Sequence, residues 1–82
     1  MNTKEAIAKR DYRFNASYSL LSMEAKKRVE EGFCSTFNLK PISFRIRRVG
    51  RVVMSAVESD VLRELFRKEG ITKVYNYEYE AD

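Results

Sequence analysis

The chain has 82 residues, 44% apolar and 34% charged, and its 16 basic and 12 acidic side chains leave a net charge of +4. That composition suits one domain over residues 1–82, too apolar for a disordered chain and too short for two cores. Folding buries about 60 to 65% of the surface that so short a chain exposes when unfolded, so a deep catalytic cleft is not expected. One cysteine, Cys34, and no histidine exclude an internal disulfide, a Cys/His zinc site and every catalytic scheme that uses imidazole as base. No run reaches the roughly 18 apolar residues of a membrane span, and Met1-Asn2-Thr3-Lys4-Glu5 lacks the apolar core of a signal peptide, so the reading is cytoplasmic. No cofactor and no metal are expected.

Residues 3–10 read as a short peripheral helix capped by Asn2 or Thr3. In residues 12–20, Tyr12, Phe14, Ala16, Tyr18 and Leu20 alternate with Arg13, Asn15, Ser17 and Ser19, the period of a half-buried strand. A helical stripe of Ile7, Phe14, Tyr18, Leu21, Ala25 and Val29 competes with it. The clustered Asn15, Ser17, Ser19 and Ser22 favour the strand, because such side chains compete with helical backbone bonds. Ser22 is an N-cap for a helix from 23 to about 33, with Ala25, Val29 and Phe33 at spacing four. Its Lys26-Lys27-Arg28 followed by Glu30 and Glu31 reads as a solvated face, and Cys34 beyond it as an incidental thiol.

Pro41 disfavours helix in the residue before it, and the chain is expected to restart extended. Ile42, Phe44 and Ile46 alternate with Ser43, Arg45 and Arg47, and beyond Gly50 the residues Val52, Met54 and Ala56 alternate with Arg51, Val53 and Ser55. This predicts a hairpin. A three-residue loop, Arg48-Val49-Gly50, keeps its inner face apolar and places Gly50 at the left-handed position of a G1 bulge. Ser59 or Asp60 is the expected cap of a third helix carrying Val61, Leu62, Leu65 and Phe66, stopped by Gly70 with Ile71 after it. Glu58 and Asp60 are assigned to capping rather than to metal. Residues 71–80, rich in β-branched and aromatic side chains, predict a last strand with Tyr75, Tyr77 and Tyr79 on one face.

Strand, helix, strand, strand, helix, strand is the βαββαβ order of the ferredoxin-like α+β fold, a four-stranded sheet with two helices on one face and here a short N-terminal helix besides. If residues 12–20 are helical, the alternative is a helical N-terminal half packed on a three-stranded antiparallel sheet. The ferredoxin-like shape hosts unrelated functions and cannot supply one.

The charge is uneven. No acid lies between Glu31 and Glu58, an interval that holds Lys40, Arg45, Arg47, Arg48 and Arg51, whereas Glu78, Glu80 and Asp82 make the C-terminus acidic. The hairpin register sets Arg47 opposite Arg51, a repulsion that a bound anion would relieve. Guanidinium pairs suit phosphate or carboxylate oxygens, so Arg45, Arg47, Arg48 and Arg51, with Arg13 on the neighbouring strand, form the candidate anion site. The ribonucleoprotein aromatics are missing from Arg48-Val49-Gly50-Arg51-Val52-Val53-Met54-Ser55, which disfavours base stacking. The expectation is a small, non-enzymatic regulatory or inhibitory binding module for a polyanionic partner, nucleic acid first and otherwise an acidic protein surface. The alternative is a protein-binding inhibitor or adaptor, of the kind small phage and plasmid genomes encode, using the Tyr75, Tyr77 and Tyr79 strand and the basic hairpin. That strand edge also allows a homodimer.

Overall fold

The computed structural model describes residues 10–80, of which 65% are helical and none lies in a strand. In chain order the helices are α1 (Asn15–Ser19), α2 (Met23–Phe37), α3 (Pro41–Arg48), α4 (Ala56–Lys68) and α5 (Asn76–Glu80). The expected ferredoxin-like sheet is therefore corrected to an all-helical fold, and the alternative three-stranded sheet falls with it. The helix expected at 3–10 lies, but for Arg10, outside the described residues. Among the described residues no helix is long and apolar enough to cross a membrane.

Serine caps open the two long helices. The Ser22 hydroxyl accepts from the Ala25 N–H at 3.1 Å, as the sequence implied, but α2 runs four residues past its expected end. The cap of α4 is Ser55 rather than Ser59 or Asp60. Ser55 Oγ accepts from the Glu58 N–H at 3.2 Å while the Glu58 carboxylate accepts from the Ser55 N–H at 3.3 Å, a reciprocal capping box. Gly70, at φ +83°, ends α4 as expected, and the Ile71 N–H returns to the Phe66 carbonyl at 3.0 Å.

α2 packs on α4 and α3, and α1 meets α5. Phe14, Val29, Phe33, Leu62, Phe66 and Val74 are fully buried between these helices, with Phe44 of α3 beside them. The ring centres of Phe14 and Phe33 lie 5.5 and 5.6 Å from that of Phe44, edge to face.

Each overturned strand has a physical cause. In the first, Phe14, Ser17 and Leu21 are buried while Tyr12 and Leu20 are exposed, the three-to-four spacing of a helix rather than the two of a strand. The serines do not break α1, because Ser17 and Ser19 donate their hydroxyls to the carbonyls of Phe14 and Ala16, three residues back. In the expected hairpin, Pro41 begins a helix: at the first helical position its missing N–H costs no hydrogen bond. Phe44 turns inward and Ile42 outward, so no alternating face survives. Gly50 does take the left-handed conformation, φ +84°, but it follows the end of α3 instead of closing a hairpin, and a Cβ there would stand 2.8 Å from Arg13 Cγ. Residues 71–74 form no helix or strand, and α5 then forms where Glu78 accepts from the Val74 and Tyr75 N–H groups at 3.3 and 3.1 Å. The N–H groups of Asn76 and Tyr77 donate instead to the carbonyls of Arg13 and Asp11, at 2.8 and 3.0 Å.

Candidate nucleic-acid interface

The acid-free interval becomes α3 and the segments on either side of it. Lys40 precedes the helix in extended conformation, Pro41 starts it, and Arg45, Arg47 and Arg48 fall in its last turn, where cations complement the carbonyl end of the helix dipole. Two positions three apart face the protein. Phe44 enters the ring cluster, and Arg47 reaches Glu58 of α4 with Nε and a terminal nitrogen at 3.2 and 3.3 Å and gives its other nitrogen to the Ser43 carbonyl at 2.9 Å. Pro41, Ile42 and Arg45 point outward beside Lys40.

The five proposed arginines separate into two groups. Arg47 and Arg51 are not opposed across a ladder. Arg47 is largely enclosed and neutralised by Glu58, and Arg13 forks onto Asp11 at 2.9 and 2.7 Å. Arg48 donates to Asn15 Oδ1 at 2.9 Å and lays its guanidinium 4.8 Å from the Tyr18 ring centre, its Nε buried without a partner. Arg45 and Arg51 are exposed and enter no ion pair among the described residues. Lys40, which the sequence argument counted only as charge, is exposed in the same way. A hollow of about 290 Å³ beside α3 is lined by Tyr18, Glu30, Ile42, Arg45 and Arg48 among others. Burial raises the Tyr18 pKa first, and the negative charge of the nearby Glu30 carboxylate raises it further.

A larger open groove of about 620 Å³ runs between residues 10–13 and 49–56, with Tyr12, Val53 and Met54 on its walls. In its lining Asp11, Arg13 and Arg47 are already paired and Arg10 lies over the Tyr77 ring at 5.1 Å, whereas α3 and its flanks hold Lys40, Arg45 and Arg51 exposed and in no ion pair among the described residues. Arg13 and an Asn76 contact hold the Asp11 carboxyl down at about 2, against an ordinary 3.8. A depressed carboxyl pKa stabilises the fold only while the group is ionised. The contribution of Asp11 is therefore complete above pH 4 and fades as pH falls toward 2. In Asp11→Asn the midpoint of the acid unfolding curve between pH 4 and 2 moves upward; an unchanged midpoint refutes the link from residues 11–13 to α5.

The expected tyrosine strand is corrected as well. Tyr75 is buried with its hydroxyl against that of Ser59, and its ring stacks at 6.1 Å on that of Tyr77. Tyr79 donates its hydroxyl to the Lys73 carbonyl at 2.8 Å. The Arg63 guanidinium covers the Tyr75 ring at 4.9 Å and pairs with Glu78, tying α4 to α5. Burial pushes the Tyr75 hydroxyl and the Cys34 thiol up from their ordinary values, the opposite of an activated nucleophile. No protein-family model, curated protein or solved structure matches this chain, so its function is argued from its own side chains.

Proposed function

We propose that the protein is a non-enzymatic, cytoplasmic nucleic-acid-binding module that meets the phosphate backbone through Lys40, Arg45 and Arg51. The observation that carries this reading is the interval from residue 32 to 57, which holds five bases and no acid and in which three of those bases are exposed and enter no ion pair among the described residues. Exposed cations on a short helix and its two flanks, engaged in no ion pair among the described residues, are available to an anion, and phosphate contacts of this kind dominate nucleic-acid affinity. Arg13 and Arg47 leave the contact set because their charges are neutralised at home. The absence of histidine and the raised Cys34 thiol support a binding role over catalysis. The tyrosine-centred alternative loses its support, since Tyr75 uses both ring and hydroxyl inside the fold.

Fluorescence anisotropy of labelled duplex DNA, single-stranded DNA and an RNA hairpin, titrated between 50 and 200 mM salt, tests the reading. Three to four phosphate contacts give a log-log slope of about −3 and a loss of affinity of about 10²-fold over that range. Arg45→Ala/Arg51→Ala makes the slope shallower by about 2. Absence of binding to all three at 50 mM salt refutes the proposal.

A further inference from the structure

We infer that α2, the turn 38–40 and α3 form a helix-turn-helix unit whose α3 enters the major groove of duplex DNA. The inference rests on the nucleic-acid reading above and adds to it the form of nucleic acid and the element that reads it.

The turn supplies the first support. It has three residues, the length that joins the two helices of such a unit. Asn38 adopts φ 53° and ψ 52°, the left-handed conformation that a short-side-chain Asn tolerates and that reverses the chain abruptly. Both the Asn38 and Leu39 N–H groups close on the Cys34 carbonyl, the latter at 2.8 Å. The chain therefore leaves α2 at an angle and begins α3 with no slack.

The second support is the contact between the two helices. Phe44 of α3 lies on Phe33 of α2, and the small Cys34 side chain lets the turn come so close that its sulfur is 3.7 Å from the Lys40 carbonyl. Behind α3, Arg47 is clamped by Glu58 and Arg48 is held by Asn15. Every group that fixes α3 is thus on one side of it. The side chains of Lys40, Pro41, Ile42 and Arg45 are exposed, and neither cation enters an ion pair among the described residues.

The third support is the chemistry of that free side. An α-helix with its side chains is about 10–12 Å across and fits a major groove about 12 Å wide. Recognition helices of this kind contact base edges with their N-terminal residues. Here the N-terminal residues include Ile42, an apolar side chain 57% exposed where a thymine methyl would cover it, and Arg45 follows one turn later in the last turn of this short helix, where its fork suits guanine O6 and N7. Lys40 and Arg51 at the two ends of α3 are placed for the phosphates on either side of the groove. Glu30 is the one carboxylate lining the hollow beside α3.

The experiment is selection from a 30-base-pair duplex pool randomised at its centre, followed by anisotropy on an enriched duplex, on the same duplex methylated at guanine N7, on its single strands and on an RNA hairpin. The enriched duplex binds at least 10-fold tighter than the single strands or the RNA, and N7 methylation, which projects into the major groove, weakens it by 10-fold or more. Arg45→Lys keeps the salt slope but loses about 10-fold of preference at one guanine, and Ile42→Ala relaxes preference at a neighbouring thymine. Both side chains are exposed, so both variants melt as the wild type does. Equal binding to all four probes with the same salt slope overturns the major-groove assignment and leaves the phosphate-contact reading standing; no binding to any probe at 50 mM salt overturns both.

Discussion

Phe44→Ala abolishes the cooperative thermal transition, or lowers its midpoint by at least about 12 °C, when followed by helical circular dichroism. Phe44 is 2% exposed and sits among the rings of Phe14, Phe33 and Tyr18, whose centres are 5.5 to 5.7 Å away. Truncating a buried phenylalanine costs about 3–5 kcal/mol, since the cavity adds to the lost transfer energy. A domain of this length has about 4–12 kcal/mol in total, near the lower end because a small chain buries a small share of its surface. Each kcal/mol moves the midpoint by about 4–8 °C at this size. Phe44→Leu keeps most of the volume and costs about 1.5 kcal/mol or less, so it melts cooperatively and can be tested for binding. If Phe44→Ala melts within about 1 kcal/mol of the wild type, α3 is not anchored on this cluster and the angle between α2 and α3 loses its cause.

Glu58→Ala is the second large effect, and it separates a structural arginine from a ligand-binding one. Glu58 has two duties: its carboxylate caps the Ser55 N–H at 3.3 Å and neutralises Arg47, whose side chain is 13% exposed. Losing the cap costs about 1 kcal/mol. Removing one partner of an enclosed ion pair leaves the other desolvated and unpaired, which for a pair with some solvent access adds about 1–3 kcal/mol. Urea unfolding should therefore report a loss of about 2–4 kcal/mol. Arg47→Met/Glu58→Gln removes the stranded charge and recovers more than half of that loss, because a packed apolar chain is no worse than the pair it replaces. Its nucleic-acid salt slope equals that of the wild type, as Arg47 makes no phosphate contact. A double variant whose slope falls by about 1 would return Arg47 to the binding face; one no more stable than Glu58→Ala would refute the pair's enclosure.

The two outcomes bear on the same geometry. Phe44 sets the distance of α3 from α2, and Arg47 sets its rotation, so that Ile42 and Arg45 are what remains outside. The recognition face is in this sense the residue of the packing: it is made of the side chains that the core does not use.

Signals carried by one or two neighbouring residues were legible without any structure. Ser22 as a cap, Gly70 as a terminator and the left-handed Gly50 depend on local backbone chemistry, and each occupies its expected conformation. The Ser55-to-Glu58 capping box was equally local and would have placed the start of α4 four residues earlier than Ser59 did. The acid-free interval was likewise visible as composition, although which of its charges are free was not.

The period of a short segment is a different kind of information. Positions i and i+4 share a face in both a strand and a helix, so Phe14 and Tyr18, or Ile42 and Ile46, satisfy either. The positions that discriminate are i+2 and i+3, and here they hold misleading residues: a buried Ser17 where the helix needs an inward side chain, and an inward Arg47 on α3. Serine can be buried only because the Phe14 carbonyl accepts its hydroxyl, and arginine only because Glu58, eleven residues away, neutralises it. The sequence by itself determined the capped ends of α2 and α4 and the concentration of positive charge, because those follow from bonds between near neighbours and from counting. Tertiary structure alone decided that residues 12–20, 42–56 and 71–80 fold without strands and that, within the acid-free interval, Arg47 is paired while Lys40, Arg45 and Arg51 are exposed, because burial of a polar side chain is favourable only after a distant partner has arrived to satisfy it.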